Sequence, residues 1–130
     1  MTKQERADKA QAHYEDIKIR LAAETEDSIQ RTIVYGPSSF LAKENEPQNP
    51  HFTLIATDSV SCLFKKVTEG KTAILNYASY KHPGGYFLGG SPAQEEALCH
   101  ESNLYPILLS FDNTYYAWNK KNLNRALYLD

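Results

Sequence analysis

The chain has 130 residues, 42% of them hydrophobic and 23% charged, with a formal net charge of −2. That length suits one domain with one core, and the composition is that of a globular protein rather than a disordered tail. The weak negative charge offers no basic face of the kind duplex nucleic acid requires, and no apolar run approaches the roughly 18 residues of a membrane span.

The opening "MTKQERADKAQAHYEDIK" is polar and mixed in sign, which excludes a secretory signal and leads us to expect a cytoplasmic protein. Residues 2 to about 30 contain good helix formers without Gly or Pro. Ala10, Tyr14, Ile17 and Leu21 recur at three- and four-residue steps, predicting one packing stripe on a charged helix. "RTIVYG" then reads as a short strand ended by Gly36, and "LAKENEPQNPH" as a polar loop. "FTLIATDS" predicts a second strand, with Asp58 or Ser59 as N-cap of a helix through "VSCLFKKVTEG" that closes at Gly70. "KTAILNYAS" predicts a third strand, apolar enough to lie inside a sheet. Strand, helix, strand with short connections is a βαβ unit, so parallel pairing is expected.

The next stretch, "PGGYFLGGSPAQEEAL" from Pro83 to Leu98, holds four of the six glycines. A loop leaving the C-terminal end of a buried parallel strand is where ligands gather in open α/β sheets. Gly84, Gly85, Gly89 and Gly90 remove the Cβ atoms that would obstruct a phosphate, although a plain tight turn uses the same residues. Ser91 as N-cap, Pro92 at the first helical position and Gln94 three residues after Ser91 compose a capping box. It starts a helix at about residue 92 and sets Glu95 and Glu96 in its first turn. Acidic residues there complement the helix dipole, so a structural reading stands beside a catalytic one. Neighbouring helical positions diverge by about 100°. Two such carboxylates are not a symmetric pair and would divide the work, one meeting a leaving group and one holding a hydroxyl. Further helix or loop is expected around "LYPILLSF", a helix through "NTYYAWNKKN", and the entry to a strand at "RALYLD".

Other chemistry-bearing residues have plainer explanations. Glu96 and His100 stand at i and i+4, as helical metal ligands do, but lack a third ligand and read as a capping or surface pair. Cys62 and Cys99 fall outside any CxxC spacing and read as two reduced thiols. Tyr115 to Trp118 read as core aromatics rather than a base-stacking platform, and Lys65 and Lys66 as a solvated helix face.

Gly84-Gly85-Tyr86, seven intervening residues and then Gln94-Glu95-Glu96 resemble the signature of the poly(ADP-ribose) glycohydrolases, three glycines followed after a short spacer by Gln-Glu-Glu. "LNYAS" before the loop and "SNLYPIL" after it are similar to the microbial-type branch. The resemblance spans roughly residues 50 to 130, more loosely the N-terminal helix. It implies an α/β fold, a macrodomain-like mixed sheet between helices. It implies binding of ADP-ribose or poly(ADP-ribose) and hydrolysis of ribose–ribose bonds, with no metal or other cofactor and no nucleic-acid or membrane partner. Glu96 would protonate the leaving oxygen, and Glu95 would hold ribose hydroxyls. Gln94 would support the loop or the sugar, Gly84 and Gly85 would admit the diphosphate, and Asn76 would contact the distal ribose.

Two features depart from that pattern. Tyr86 replaces the third glycine, and no glycine follows Gly90, where the family has a second phosphate loop. The resemblance therefore implies that residues 1–130 are a single domain, the N-terminal portion of such a glycohydrolase. Residues 1–30 would be a helical extension and 31–130 a partial α/β core, incomplete on its C-terminal side. Three readings stay open here: a shortened hydrolase, a degenerate domain that binds ADP-ribose weakly, and a partner-dependent fragment, for instance a homo-oligomer covering an unfinished sheet edge.

Overall fold

Thr2 starts the first helix by a reciprocal exchange. Its hydroxyl accepts the Glu5 N–H at 3.2 Å, and the Glu5 carboxylate accepts the Thr2 N–H at 2.6 Å. Two of the helix's orphan donors are thereby satisfied, and Glu5 also opposes the positive end of the helix dipole. The computed structural model describes residues 1–35 and 49–122. Helix α1 spans Lys3–Arg20, and the expected stripe packs inward: Ala10 and Ile17 are completely buried and Tyr14 partly so. The single helix expected to residue 30 is interrupted at Leu21, whose φ of −117° and ψ of 28° leave the helical region. Helix α2, Ala22–Arg31, turns there to meet the helix that begins at Leu104, and Asn103 Nδ2 donates to Thr25 Oγ1 at 3.0 Å.

Helix α3 spans Ser59–Lys66 and is capped by Asp58, whose carboxylate accepts the Ser61 N–H at 2.9 Å and the Ser61 hydroxyl at 2.6 Å. Of the two N-caps considered, Asp58 holds the position, and the helix ends four residues before Gly70. After the glycine-rich loop come α4 (Gln94–His100) and α5 (Leu104–Leu109). A π-helical turn (Asp112–Tyr116) and α6 (Ala117–Lys121) follow. None of the helices among the described residues is long and apolar enough to cross a membrane.

The expected mixed sheet is not formed: among the described residues there is no strand and no ladder. The macrodomain-like α/β architecture, the parallel pairing and the βαβ unit are corrected accordingly. The second and third expected strands flank α3 as irregular chain, with Phe52, Leu54, Leu75 and Tyr77 strongly exposed. The physical reason is visible at residues 75–77. Gln94 Oε1 accepts the Tyr77 N–H at 2.9 Å, and Gln94 Nε2 donates to the Leu75 carbonyl at 2.9 Å. A parallel neighbour would bond these same two groups, on either side of one residue. A side-chain amide has taken the place of a strand. β-Branched sequence makes a strand only when long-range partners satisfy its backbone, and α3 alone supplies none. Gly36, most of the polar loop after it and "RALYLD" lie outside the described residues.

The core forms where α1 meets the glycine-rich loop, α4 and α5. Phe87, from the middle of the loop, is 1% exposed and packs with Ala10 and Cys99 under Tyr14, Leu88, Leu104 and Tyr105. Its ring meets Tyr105 with centroids 5.1 Å apart and presents an edge contact to His100 at 4.8 Å. Tyr14 crosses Tyr105 edge-on at 5.0 Å. One aromatic side chain thus anchors the loop whose neighbours carry the site. At the far side, Asn119 of α6 donates to the Tyr80 carbonyl at 2.9 Å, tying the start of that loop to the last helix.

Candidate active site

The glycine-rich loop is a run of successive tight turns. Gly85 N–H donates to the His82 carbonyl at 3.0 Å, Phe87 to Gly84 at 3.1 Å, and Gly89 to Tyr86 at 3.1 Å. Gly84 and Gly85 have φ of 67° and 61°, the left-handed region that L side chains rarely occupy. Gly85 also has no space for a Cβ, because one would lie 2.6 Å from Glu96 Oε1 and 3.2 Å from Glu95 Oε2. Two carboxylates therefore converge on one backbone position. Their Cα atoms diverge around the helix, but long side chains fold the charged ends back together.

Both acids are almost fully buried, and the neighbouring chain holds each in place. Glu95 Oε2 accepts the Ser79 N–H at 2.8 Å, and its Oε1 accepts Asn76 Nδ2 at 3.2 Å. Glu96 Oε1 accepts the Tyr86 N–H at 2.9 Å, and no hydrogen bond among the described residues engages its Oε2. Burial raises the Glu95 carboxyl above the usual carboxylate range; the Glu96 charge adds to this, while the bonds from Ser79 and Asn76 oppose it. Cys99, buried on the same helix, is pushed up to about 12, first by burial and then by the two glutamates, so it stays a thiol at neutral pH.

Of the residues picked out in the sequence, Asn76, Gly85, Gln94, Glu95 and Glu96 are gathered in one place. Gly84 stands beside them, its α-carbon under the Tyr105 ring and Cys99. Asn76 reaches Glu95 although no strand delivers it. Gln94 spends both ends of its amide on residues 75 and 77. The S-x-x-Q capping box does not form: α4 begins at Gln94 with Ala93 as N-cap and no side-chain cap. From the first turn of α4, Gln94 and Glu95 are directed at the chain before the loop, and Glu96 at the Tyr86 N–H within it. Gly90 faces away from the carboxylates; a Cβ there would meet the Lys3 carbonyl and the Ala7 N–H of α1.

Tyr86 tolerates its Cβ, since no residue other than glycine has positive φ among the described residues. Its N–H points to Glu96, while its ring turns outward, covers Gly89 and lies 5.2 Å from Lys3 Nζ. Sequence reasoning missed the Ser79 and Tyr86 amides that grip the two acids. A backbone donor leaves no side-chain signature.

Comparison with curated proteins and with solved structures gives no match. Residues 3–130 match the microbial-type PARG catalytic domain, so the loop and its Gln-Glu-Glu helix sit in a chain that belongs to the microbial-type poly(ADP-ribose) glycohydrolase family.

Proposed function

We propose that the chain binds terminal ADP-ribose units of poly(ADP-ribose) and hydrolyses the ribose–ribose glycosidic bond, with Glu96 as the acid. The observation that carries this reading is the asymmetric anchoring of Glu96. One oxygen is fixed by the Tyr86 N–H, and the other makes no bond to the described residues. A general acid needs this arrangement, a held carboxyl with one oxygen available to a leaving group. Glu96 Oε2–H gives its proton to the departing ribose oxygen as the C–O bond breaks. Water adds to the oxocarbenium-like carbon and returns a proton to the same carboxylate.

Glu95 fits the second role. Each of its oxygens already accepts one bond and retains a lone pair for a ribose hydroxyl. Asn76 Oδ1 is buried and accepts no hydrogen bond. Leaving such an acceptor unmet costs about 1–3 kcal/mol, and a sugar hydroxyl would meet it. Gly84 and Gly85, lacking Cβ atoms, would admit the diphosphate close to the loop backbone, the Gly85 N–H itself being held by the His82 carbonyl. Gln94 acts through the segment it holds rather than on the sugar.

The test is release of ADP-ribose from poly(ADP-ribose), measured by chromatography. Glu96→Gln is expected to lower the rate at least a hundredfold while calorimetric binding of ADP-ribose persists, in line with the 10²–10⁴-fold contribution of a positioned acid. Undiminished release by the variant would overturn the assignment of Glu96. Absence of binding heat at millimolar ADP-ribose with the unaltered chain would overturn the binding role.

A further inference from the structure

Helix α1 reaches the candidate acid through the glycine-rich loop, although none of its residues touches Glu96. Arg6 Nε donates to the Gly90 carbonyl at 2.7 Å, and its Nη1 donates to the Met1 carbonyl at 2.8 Å. The first bond joins residues 84 apart in sequence and is partly buried. The Gly90 carbonyl and the Ser91 N–H belong to one peptide plane, and that N–H donates to the Tyr86 carbonyl at 3.2 Å. The Gly89 N–H donates to the same carbonyl at 3.1 Å. Tyr86 in turn points its own N–H at Glu96 Oε1, at 2.9 Å. The guanidinium, the Gly90–Ser91 peptide and the Tyr86–Phe87 peptide therefore lie in series, and the last is joined through the Tyr86 α-carbon to the N–H that meets the carboxylate. A charged donor at the Gly90 oxygen polarises that peptide and strengthens the bond its N–H makes.

The approach is close because Gly90 has no side chain. It is buried, its φ is 74°, and a Cβ would run into the Lys3 carbonyl and the Ala7 N–H. Lys3 adds a contact from the same face, its Nζ 5.2 Å from the Tyr86 ring centroid. No other charged group holds this turn from outside among the described residues.

We infer that Arg6 is a positioning residue for Glu96: by clamping the Gly90–Ser91 peptide it fixes the Tyr86 amide that orients the acid. This rests on the reading of Glu96 proposed above, and the readouts separate the two. The first needs no substrate. Hydrogen exchange at the Tyr86 amide, followed by NMR, is expected to accelerate at least tenfold in Arg6→Ala and in Glu96→Ala, while exchange at Leu98 in α4 stays unchanged. The second is kinetic. Arg6→Ala should lower kcat about tenfold with KM unaltered, because the acid and not the sugar contacts loses its register. Arg6→Lys, which keeps a charged donor, should recover most of the loss, and Arg20→Ala, which removes only a surface pair with Asp16, should leave kcat unchanged.

Unchanged Tyr86 exchange in Arg6→Ala would overturn the inference, as would a loss shared equally by Tyr86 and Leu98, which marks general loosening. If Arg6→Ala does not fold, the same readouts on Arg6→Gln decide, since it keeps a neutral donor and is expected to fall between Ala and Lys. If the unaltered chain releases no ADP-ribose, the proposed activity fails, and the exchange data still show whether Arg6 holds the Tyr86–Glu96 bond.

Discussion

Residues 49–79 and residues 80–119 differ sharply in how they are held. The first region includes one capped helix, yet none of its residues is buried. The second contributes Phe87, Leu98, Cys99 and Tyr116 to the interior, together with Glu95, Glu96 and Asn119. The difference lies in the reach of the contacts each needs. Loop, α4 and α5 are neighbours in sequence and close on each other at small entropic cost, while α1 joins them from far along the chain through the Ala10–Phe87 packing and the Arg6–Gly90 bond. The segments around α3 are patterned as strands, and a strand's backbone is satisfied only by partners outside its own segment, which are slower and costlier to bring together than a helix's local bonds. A site assembled from the first kind of contact keeps its geometry even where the second kind is not made.

The largest effect that would break this comparison is on stability. Phe87→Ala removes the ring that joins loop, α1 and α5, and is expected to cost about 3–5 kcal/mol by urea denaturation. Leu54→Ala, at a fully exposed side chain of similar hydrophobicity, should leave the urea midpoint where it is. Equal losses at the two positions would mean that the first region shares the core after all.

A smaller effect comes from Glu95, an acid that ties the regions together by holding Asn76 and Ser79. Its carboxyl is raised by burial, so the folded chain keeps the proton to higher pH than the unfolded chain. The contribution is full below the usual glutamate value of 4.5 and is lost as pH rises through the raised value. Stability should therefore fall with rising pH across that window, and Glu95→Gln should flatten the slope. A steeper slope in the variant would reverse the sign of this assignment.

The mildest probe leaves stability alone. Cys62, half-buried on α3, should react with a maleimide under native conditions, while Cys99, buried and held as a thiol, should react only after unfolding. Comparable labelling of both would erase the distinction between the regions.

What could be read from the residues follows the same division. The stripe of Ala10 and Ile17 and helices near residues 94–100 and 117–121 were legible because helical patterning is local, whereas residues 104–109 stayed open between helix and loop and the α3 cap between Asp58 and Ser59. The gathering of Asn76, Gly85, Glu95 and Glu96 was legible only through the spacing of the glycines and Gln-Glu-Glu. Ile74 and Leu75 misled because a short apolar run carries the same signal whether or not a partner arrives. Ser91 and Gln94 misled differently: their spacing suits a cap, but Gln94 found better partners in the Leu75 and Tyr77 backbone. The Arg6–Gly90 bond had no local signature at all.

That glutamine has one more consequence. An irregular apolar segment with bare backbone groups is a template on which a second molecule can add a strand and seed a fibril. Because the Gln94 amide occupies the Leu75 oxygen and the Tyr77 nitrogen, one flank of this segment is already closed to such recruitment. The residue beside the two acids thereby covers two backbone groups that would otherwise stand bare, and Gln94→Ala is expected to raise self-association, read by light scattering, as it loosens the site.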